Sequence, residues 1–274
     1  MEKIQSAIAK ARAERRAKVP VKPKAPFIQS PHAAEDAADQ SWEALPLIEP
    51  SLRRMRAQRI VTLDRARDAS HFDKLRTRML QQMQANGWRR VAITSPGIHS
   101  GKTTISLNLA FSLSRQLRCR VVLSEMDLRR PSMRKVLRLR TERDFGEVVS
   151  GTAAFEDHAI RVRPNLALGM LQNPLSHPAE RLQDATLGAT LDEIEKRYDP
   201  TVMMFDMPPF QVSDDVMAFA DKVDCVMIIA AAEYTKMSEL DACERELANV
   251  TNVLGVVLNK CRYEAEDQTY EYYG

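Results

Sequence analysis

Arg89-Arg90-Val91-Ala92-Ile93-Thr94-Ser95-Pro96-Gly97-Ile98-His99-Ser100-Gly101-Lys102-Thr103-Thr104, running on into Ile105-Ser106-Leu107-Asn108-Leu109, is the stretch from which the rest of the chain can be read. An apolar run, Val91 to Ile93, breaks into a loop of Pro, Gly, Ser and His that ends in Gly-Lys-Thr-Thr and opens an apolar-periodic segment. A buried strand, a turn of small residues and a helix N-terminus aim backbone N–H groups and a helix dipole at one point, where a polyphosphate can sit. In that layout Gly97, Ser100, Gly101, Lys102, Thr103 and Thr104 surround the phosphates, Lys102 reaching the terminal ones and the Thr103 hydroxyl holding a magnesium ion. The left end departs from the standard pattern. Pro96 stands where Gly is usual, Gly97 comes one place late, and His99 adds bulk to the loop.

Downstream, short apolar runs alternate with helical stretches at Val121–Leu123, Leu166–Leu168, Val202–Phe205, Val226–Ala230 and Val253–Leu258. Continuous runs of this kind are strands buried on both faces. Alternation over about 180 residues predicts one α/β domain, a doubly wound, mostly parallel sheet with helices on both faces and right-handed crossovers. After the second strand, Glu125 and Asp127 form a carboxylate pair at i and i+2, leaving a strand end toward the crevice where such sheets bind ligands. Asp206 closes the buried run Val202 to Phe205 and is followed by Met207-Pro208-Pro209. A carboxylate there is costly unless something compensates it, and a magnesium ion beside Thr103 would. Asn259 ends the last strand, where its amide can pair with an adenine edge or simply form a turn.

Upstream, Phe72, Leu75, Met79 and Met83 share one face of a helix expected from about Asp64 to Met83, leading into the first strand. Residues 1–18 read as a short basic amphipathic helix, with Ile4, Ala7, Ile8 and Ala11 on one face. From Val19 the chain carries Pro20, Pro23, Pro26, Pro31, Pro46 and Pro50 without a sustained period, so residues 19–63 read as a mobile linker. The domain is expected over 64–262. The tail, 263–274, holds Tyr263, Tyr270, Tyr272 and Tyr273, four of the six tyrosines in the chain, among Glu264, Glu266, Asp267 and Glu271. Tyrosines crowded into an acidic end cannot all be core.

Composition sets outer limits. Forty basic residues against 37 acidic ones give a formal net charge of +3, which does not by itself argue for nucleic acid, and none is expected as a partner. No apolar run approaches the roughly 18 residues needed to span a bilayer, and the N-terminus lacks the apolar core of a secretory signal, so a cytoplasmic location is expected. Cys119, Cys225, Cys243 and Cys261 are widely spaced, which favours buried free thiols over ligands or disulfides.

The combination SPG…GKTT, VVLSEMDLRRPS, YDPTVMMFDMPP and NVLGVVLNK resembles the bacterial tyrosine kinases of capsule and exopolysaccharide synthesis, within the wider group of MinD- and ParA-like P-loop NTPases. The resemblance spans roughly residues 64 to 274, and MEKIQSAIAKA is similar to the start of soluble autokinases of exosortase-linked polysaccharide loci. It implies an ATP- and Mg2+-dependent kinase with Lys102 on the phosphates, and Thr103, Asp127 and Asp206 on the metal. Lys102, Glu125 and Asp127 are implied as catalytic, Glu125 standing where the family has an Asp that serves as base. The tail tyrosines are implied as phosphoacceptors presented to a neighbouring copy. The resemblance further implies activation by a transmembrane chain-length determinant (polysaccharide co-polymerase) and recruitment to the inner face of the plasma membrane. Homo-oligomers are implied as well. The family's ring-forming Glu and two Arg at three-residue spacing correspond here to Ser70, Asp73 and Arg76, of which only the last matches, leaving the ring itself open. A MinD/ParA-like ATPase switch and a catalytically weak nucleotide-binding adaptor remain the alternative readings.

Overall fold

The structure, a computed structural model, describes residues 32–63, 69–116 and 118–261. The helix expected over residues 1–18, and Tyr263, Tyr270, Tyr272 and Tyr273, lie outside the described residues.

Seven strands form one sheet: β1 (Arg90–Thr94), β2 (Val121–Glu125), β3 (Ile160–Arg163), β4 (Leu166–Gly169), β5 (Val202–Asp206), β6 (Cys225–Ala231) and β7 (Asn252–Asn259). Their spatial order is β3-β4-β2-β5-β1-β6-β7. Every pairing is parallel except β3 with β4. The doubly wound, mostly parallel α/β arrangement expected from the alternating runs is therefore the one observed. β1, β2 and β5 sit at the centre and are buried along their full length, as uninterrupted Val, Ile, Met and Phe require.

Helices cover both faces. On one lie α2 (Leu52–Ala57), α3 (Ser70–Asn86), α4 (Lys102–Ser114) and α5 (Met133–Leu137), packed through Met55, Met79, Met83, Leu107, Phe111 and Leu137. The other face carries α1 (His32–Ala44), α6 (Phe145–Val149), α7 (Phe155–His158), α8 (Pro178–Gln183), α9 (Ala185–Tyr198), α10 (Asp215–Phe219) and α11 (Met237–Leu247), with Trp42, Leu191, Phe219 and Leu247 among the buried side chains. From Ile105 to Ser114 α4 is buried on every side, so it runs through the core and fixes its N-terminus, the phosphate loop, against the sheet. α3 ends three residues before β1, where Gly87 takes a left-handed conformation (φ 67°) and Trp88 N–H donates to the Met83 carbonyl at 2.8 Å.

Three expectations need correction. Residues 32–63 are not a linker. Trp42 is buried and donates its indole N–H to the Tyr198 carbonyl at 2.6 Å, while Ile48 N–H and the Pro46 carbonyl both bond Arg161 of the edge strand β3. Proline lacks a donor but keeps its acceptor, so Pro46 allows that stitching rather than preventing it. Second, β3 escaped notice because only Ile160 and Val162 are apolar in a strand of four residues. Third, β7 is an edge strand and not buried on both faces: a bulge at Gly255 shifts its register, and Val256 and Leu258 are exposed. The helix before β1 starts at Ser70, its expected first turn falling within residues 64–68 that the structure does not describe, and it ends at Asn86 instead of Met83.

Candidate functional site

β1, β2 and β5 end side by side, and the segments that leave them converge at the N-terminus of α4. Gly101 precedes that helix with φ 86°, and a Cβ there would come within 2.5 Å of Asn259 Nδ2, so glycine is needed for both torsion and clearance. His99 also adopts a left-handed conformation (φ 61°) and is exposed. His is among the side chains that tolerate this region, which explains how the loop takes it without breaking the turn. The loop is further held by Ser95, whose hydroxyl donates to the Gly97 carbonyl at 2.7 Å, and by Phe210 and Gln211, whose N–H groups donate to the carbonyls of Ser95 and Pro96. Lys102, Thr103 and Thr104 are half-buried, facing the crevice end of the helix.

The Thr103 hydroxyl donates to Asp206 at 2.6 Å, and Ser106 donates to the other oxygen of the same carboxylate at 3.0 Å. Asp206 is buried, and burial pushes its carboxyl up to about 6 against the opposing pull of Lys102, Thr103 and Ser106. A buried carboxylate held beside a hydroxyl, with an ammonium nearby, is a hard oxygen site. Such donors suit magnesium, which takes one or two carboxylates and completes its shell with phosphate and water. Ser100 supports the same fit: its hydroxyl is buried in the loop and bonds no protein group. The Thr103–Asp206 pair and the left-handed Gly101 cradle therefore fit both groups.

The two other carboxylates part company. Glu125, β-sheet partner of Asp206, is fully buried and accepts backbone N–H groups from Ser132, Met133 (2.8 Å) and Leu171 (3.0 Å). Burial still pushes it up to about 7. With both oxygens engaged by backbone N–H groups, it fastens the start of α5 and the chain just after β4, an arrangement that supports a positioning role beside the catalytic role expected from the sequence. Asp127 is half-buried, accepts the Arg130 N–H at 3.0 Å, and is raised by burial against the bond from Arg130 and the charge of Lys102. It is the carboxylate left available to the crevice.

Asn259 reaches the loop but in a different role. Its Nδ2 donates to the Ser100 carbonyl at 2.7 Å, which pins the last strand to the phosphate loop and leaves its oxygen free to accept. Three contributors were missed in the sequence. Ser106 was legible, lying one helical turn after Thr103 on the same face. Ser132, whose hydroxyl is 3.2 Å from that of Thr103, follows a proline in a loop and gives no periodic signal. Asp215 is the third: buried, it binds Arg129 through both oxygens at 2.8 and 2.9 Å and ties the Asp127 loop to α10.

A phosphate-binding loop at the switch of a parallel sheet, with Thr103 and Asp206 already in contact, defines a nucleotide-binding α/β protein. The chain belongs to the CobQ/CobB/MinD/ParA nucleotide binding domain family, whose model matches residues 91–273. It is 24% identical to CapB of Staphylococcus aureus over 206 residues, covering 74% of this chain and 89% of CapB. It is 25% identical over 182 residues to the tyrosine-protein kinase CpsD of Streptococcus pneumoniae serotype 4, covering 65% of this chain and 79% of CpsD. Among solved structures, the BceF tyrosine kinase domain superposes with a TM-score of 0.63 at 21% identity, over 84% of this chain and 98% of that one, and so shares the fold.

Proposed function

We propose that this chain is an ATP-dependent protein-tyrosine autokinase of the exopolysaccharide machinery, phosphorylating its own C-terminal tyrosines in a neighbouring copy. The observation that carries the reading is the Thr103–Asp206 contact beside Lys102, together with the similarity to CpsD over most of its length. The tail supports it, since Tyr263, Tyr270, Tyr272 and Tyr273 lie in the last twelve residues. Lys102 and the backbone N–H groups at the start of α4 bind and orient the triphosphate. Thr103, Asp206 and Asp127 would hold a magnesium ion, which would supply positive charge against that of the phosphates. Asp206 holds the Thr103 hydroxyl in place for that ion, and Asp127 joins them from the neighbouring loop. With Glu125 engaged by backbone N–H groups, Asp127 is the carboxylate left to orient the incoming phenol. A transmembrane chain-length determinant is the proposed activator, recruiting the kinase to the inner face of the plasma membrane; no helix among the described residues is long and apolar enough to cross a membrane.

A nucleotide-binding adaptor is the second reading, favoured by the sequestered Glu125 and the histidine in the loop. Incubating purified protein with Mg-ATP and measuring phosphotyrosine by intact mass separates the two. Wild type should gain phosphate, alone or with the cytoplasmic segment of the membrane partner, and Lys102→Met should gain none while keeping its fold. ATP binding without phosphotyrosine under both conditions would establish the adaptor.

A further inference from the structure

Two acid-free basic segments of the chain meet on one face of the fold. Residues 50–63 hold four arginines and no acid, and residues 128–141 hold six basic residues and no acid. The first contains α2 and the second α5, and these helices pack against each other through a shared cluster that buries Met55, Met133 and Leu137. Burying the apolar side of each leaves its cations outward. Arg129 is taken by Asp215 and Arg134 by the Thr141 carbonyl. Arg53, Arg54, Lys135, Arg138 and Arg140 are exposed, and none pairs with a carboxylate among the described residues. Three of these cations on adjoining helices, with Arg138 and Arg140 just beyond α5, raise a positive potential that attracts a flexible anion.

This surface begins at the candidate site itself. Ser132, one residue before α5, touches Thr103, and Glu125 fastens the first turn of α5 to the end of β2. A ligand held on α2 and α5 is thus delivered beside Asp127.

We propose that this surface docks the acidic tail, residues 263–274, of a second copy of the chain. The tail supplies the complementary charge, with four carboxylates and no Lys or Arg in twelve residues, alternating with the tyrosines. Its length fits: twelve extended residues span about 40 Å. The sheet order favours arrival from a second copy. β7 lies four strand places from β2, about 19 Å at the usual interstrand spacing. To reach α5 of its own chain the tail would cross the ends of β6, β1 and β5 and cover the nucleotide crevice; a tail from outside approaches α2 and α5 and leaves the crevice open. The consequence for phosphorylation rests on the kinase reading, but docking is measured independently of it.

The test uses a fluorescein-labelled peptide of residues 263–274 titrated with the full chain and followed by anisotropy. Reversing the surface (R53E/R54E/K135E/R138E/R140E) should weaken binding at least about tenfold, as should raising salt from about 50 to about 500 mM. A peptide with Glu264, Glu266 and Glu271 changed to Gln and Asp267 to Asn should fail in the same way on wild-type protein, which keeps the test decisive should the reversed variant misfold. Equal binding by the wild-type and reversed surfaces overturns the proposal. So does a reversed variant that loses phosphatidylglycerol vesicles but keeps the peptide, which would assign the surface to membrane. In mixtures with Lys102→Met as acceptor, reversal on the donor copy should lower phosphate transfer and reversal on the acceptor copy should not; the opposite pattern overturns docking from a second copy. Peptide binding that is charge-dependent without any phosphate transfer upholds the docking and sinks the kinase reading instead.

Discussion

Glu125 and Asp206 stand opposite each other at the ends of neighbouring strands, both buried, and both bind protons more tightly than an unfolded carboxylate does. The folded chain then holds more protons than the unfolded one, so stability from these two groups is highest below their unfolded pKa values, near pH 4, and is lost as pH rises through about 6 for Asp206 and about 7 for Glu125. The thermal midpoint of the metal-free protein should accordingly fall between pH 5 and pH 7.5, Asp206→Asn should flatten that fall, and added magnesium should reverse it near pH 7.5 by favouring the ionised form. A midpoint that rises over this window would show that neither group titrates there. Glu125→Asp is a sharper probe of what Glu125 does. The shorter side chain cannot satisfy Ser132, Met133 and Leu171 together, and each buried N–H left without a partner costs about 1–3 kcal/mol. Urea unfolding should register that loss; undiminished stability with altered phosphate transfer would return Glu125 to the catalytic group.

At the scale of elements, α1 tests whether residues before the phosphate loop belong to the domain. Trp42 is buried, donates to the Tyr198 carbonyl, and meets the Tyr198 ring edge-on with centroids 6.1 Å apart. Trp42→Ala should destabilise the chain by about 3–5 kcal/mol in urea unfolding. A change within experimental error would mean that α1 detaches in solution. This helix was illegible in the sequence because only Ala38 and Trp42 of its described side chains are buried, too few to set a period, and prolines at 31 and 46 bracket it. The central strands were legible for the opposite reason: burial on both faces forces unbroken apolar runs. Asp206 could be read because a lone acid after four apolar residues needs an explanation, and Thr103 supplies it. The role of Glu125 could not, since its partners are backbone N–H groups from Ser132, Met133 and Leu171, which spacing along the chain does not reveal.

For the whole molecule the open matter is how copies meet. The helix position that corresponds to the family's ring device is engaged within the chain. Asp73 takes the Ser112 hydroxyl at 2.7 Å, Arg76 at 3.1 Å and also Arg115, and these bonds with Ser112 and Arg115 hold its carboxyl below the usual range despite partial burial. Arg76 in turn donates to the Ser112 carbonyl at 3.0 Å. A side chain so committed stitches α3 to α4 and has little left for a neighbour, whereas Arg53, Arg54 and Lys135 on α2 and α5 pair with no carboxylate among the described residues. Self-association should therefore be electrostatic and tail-driven. In sedimentation velocity, association of the wild type should weaken as salt rises and should be lost when Glu264, Glu266, Asp267 and Glu271 are neutralised. Arg76→Ala should lower the thermal midpoint but leave the association unchanged. Salt-resistant oligomers that Arg76→Ala dissolves would instead mean that α3 opens its internal network to pair with a second copy, and that assembly runs through the helix and not through the tail.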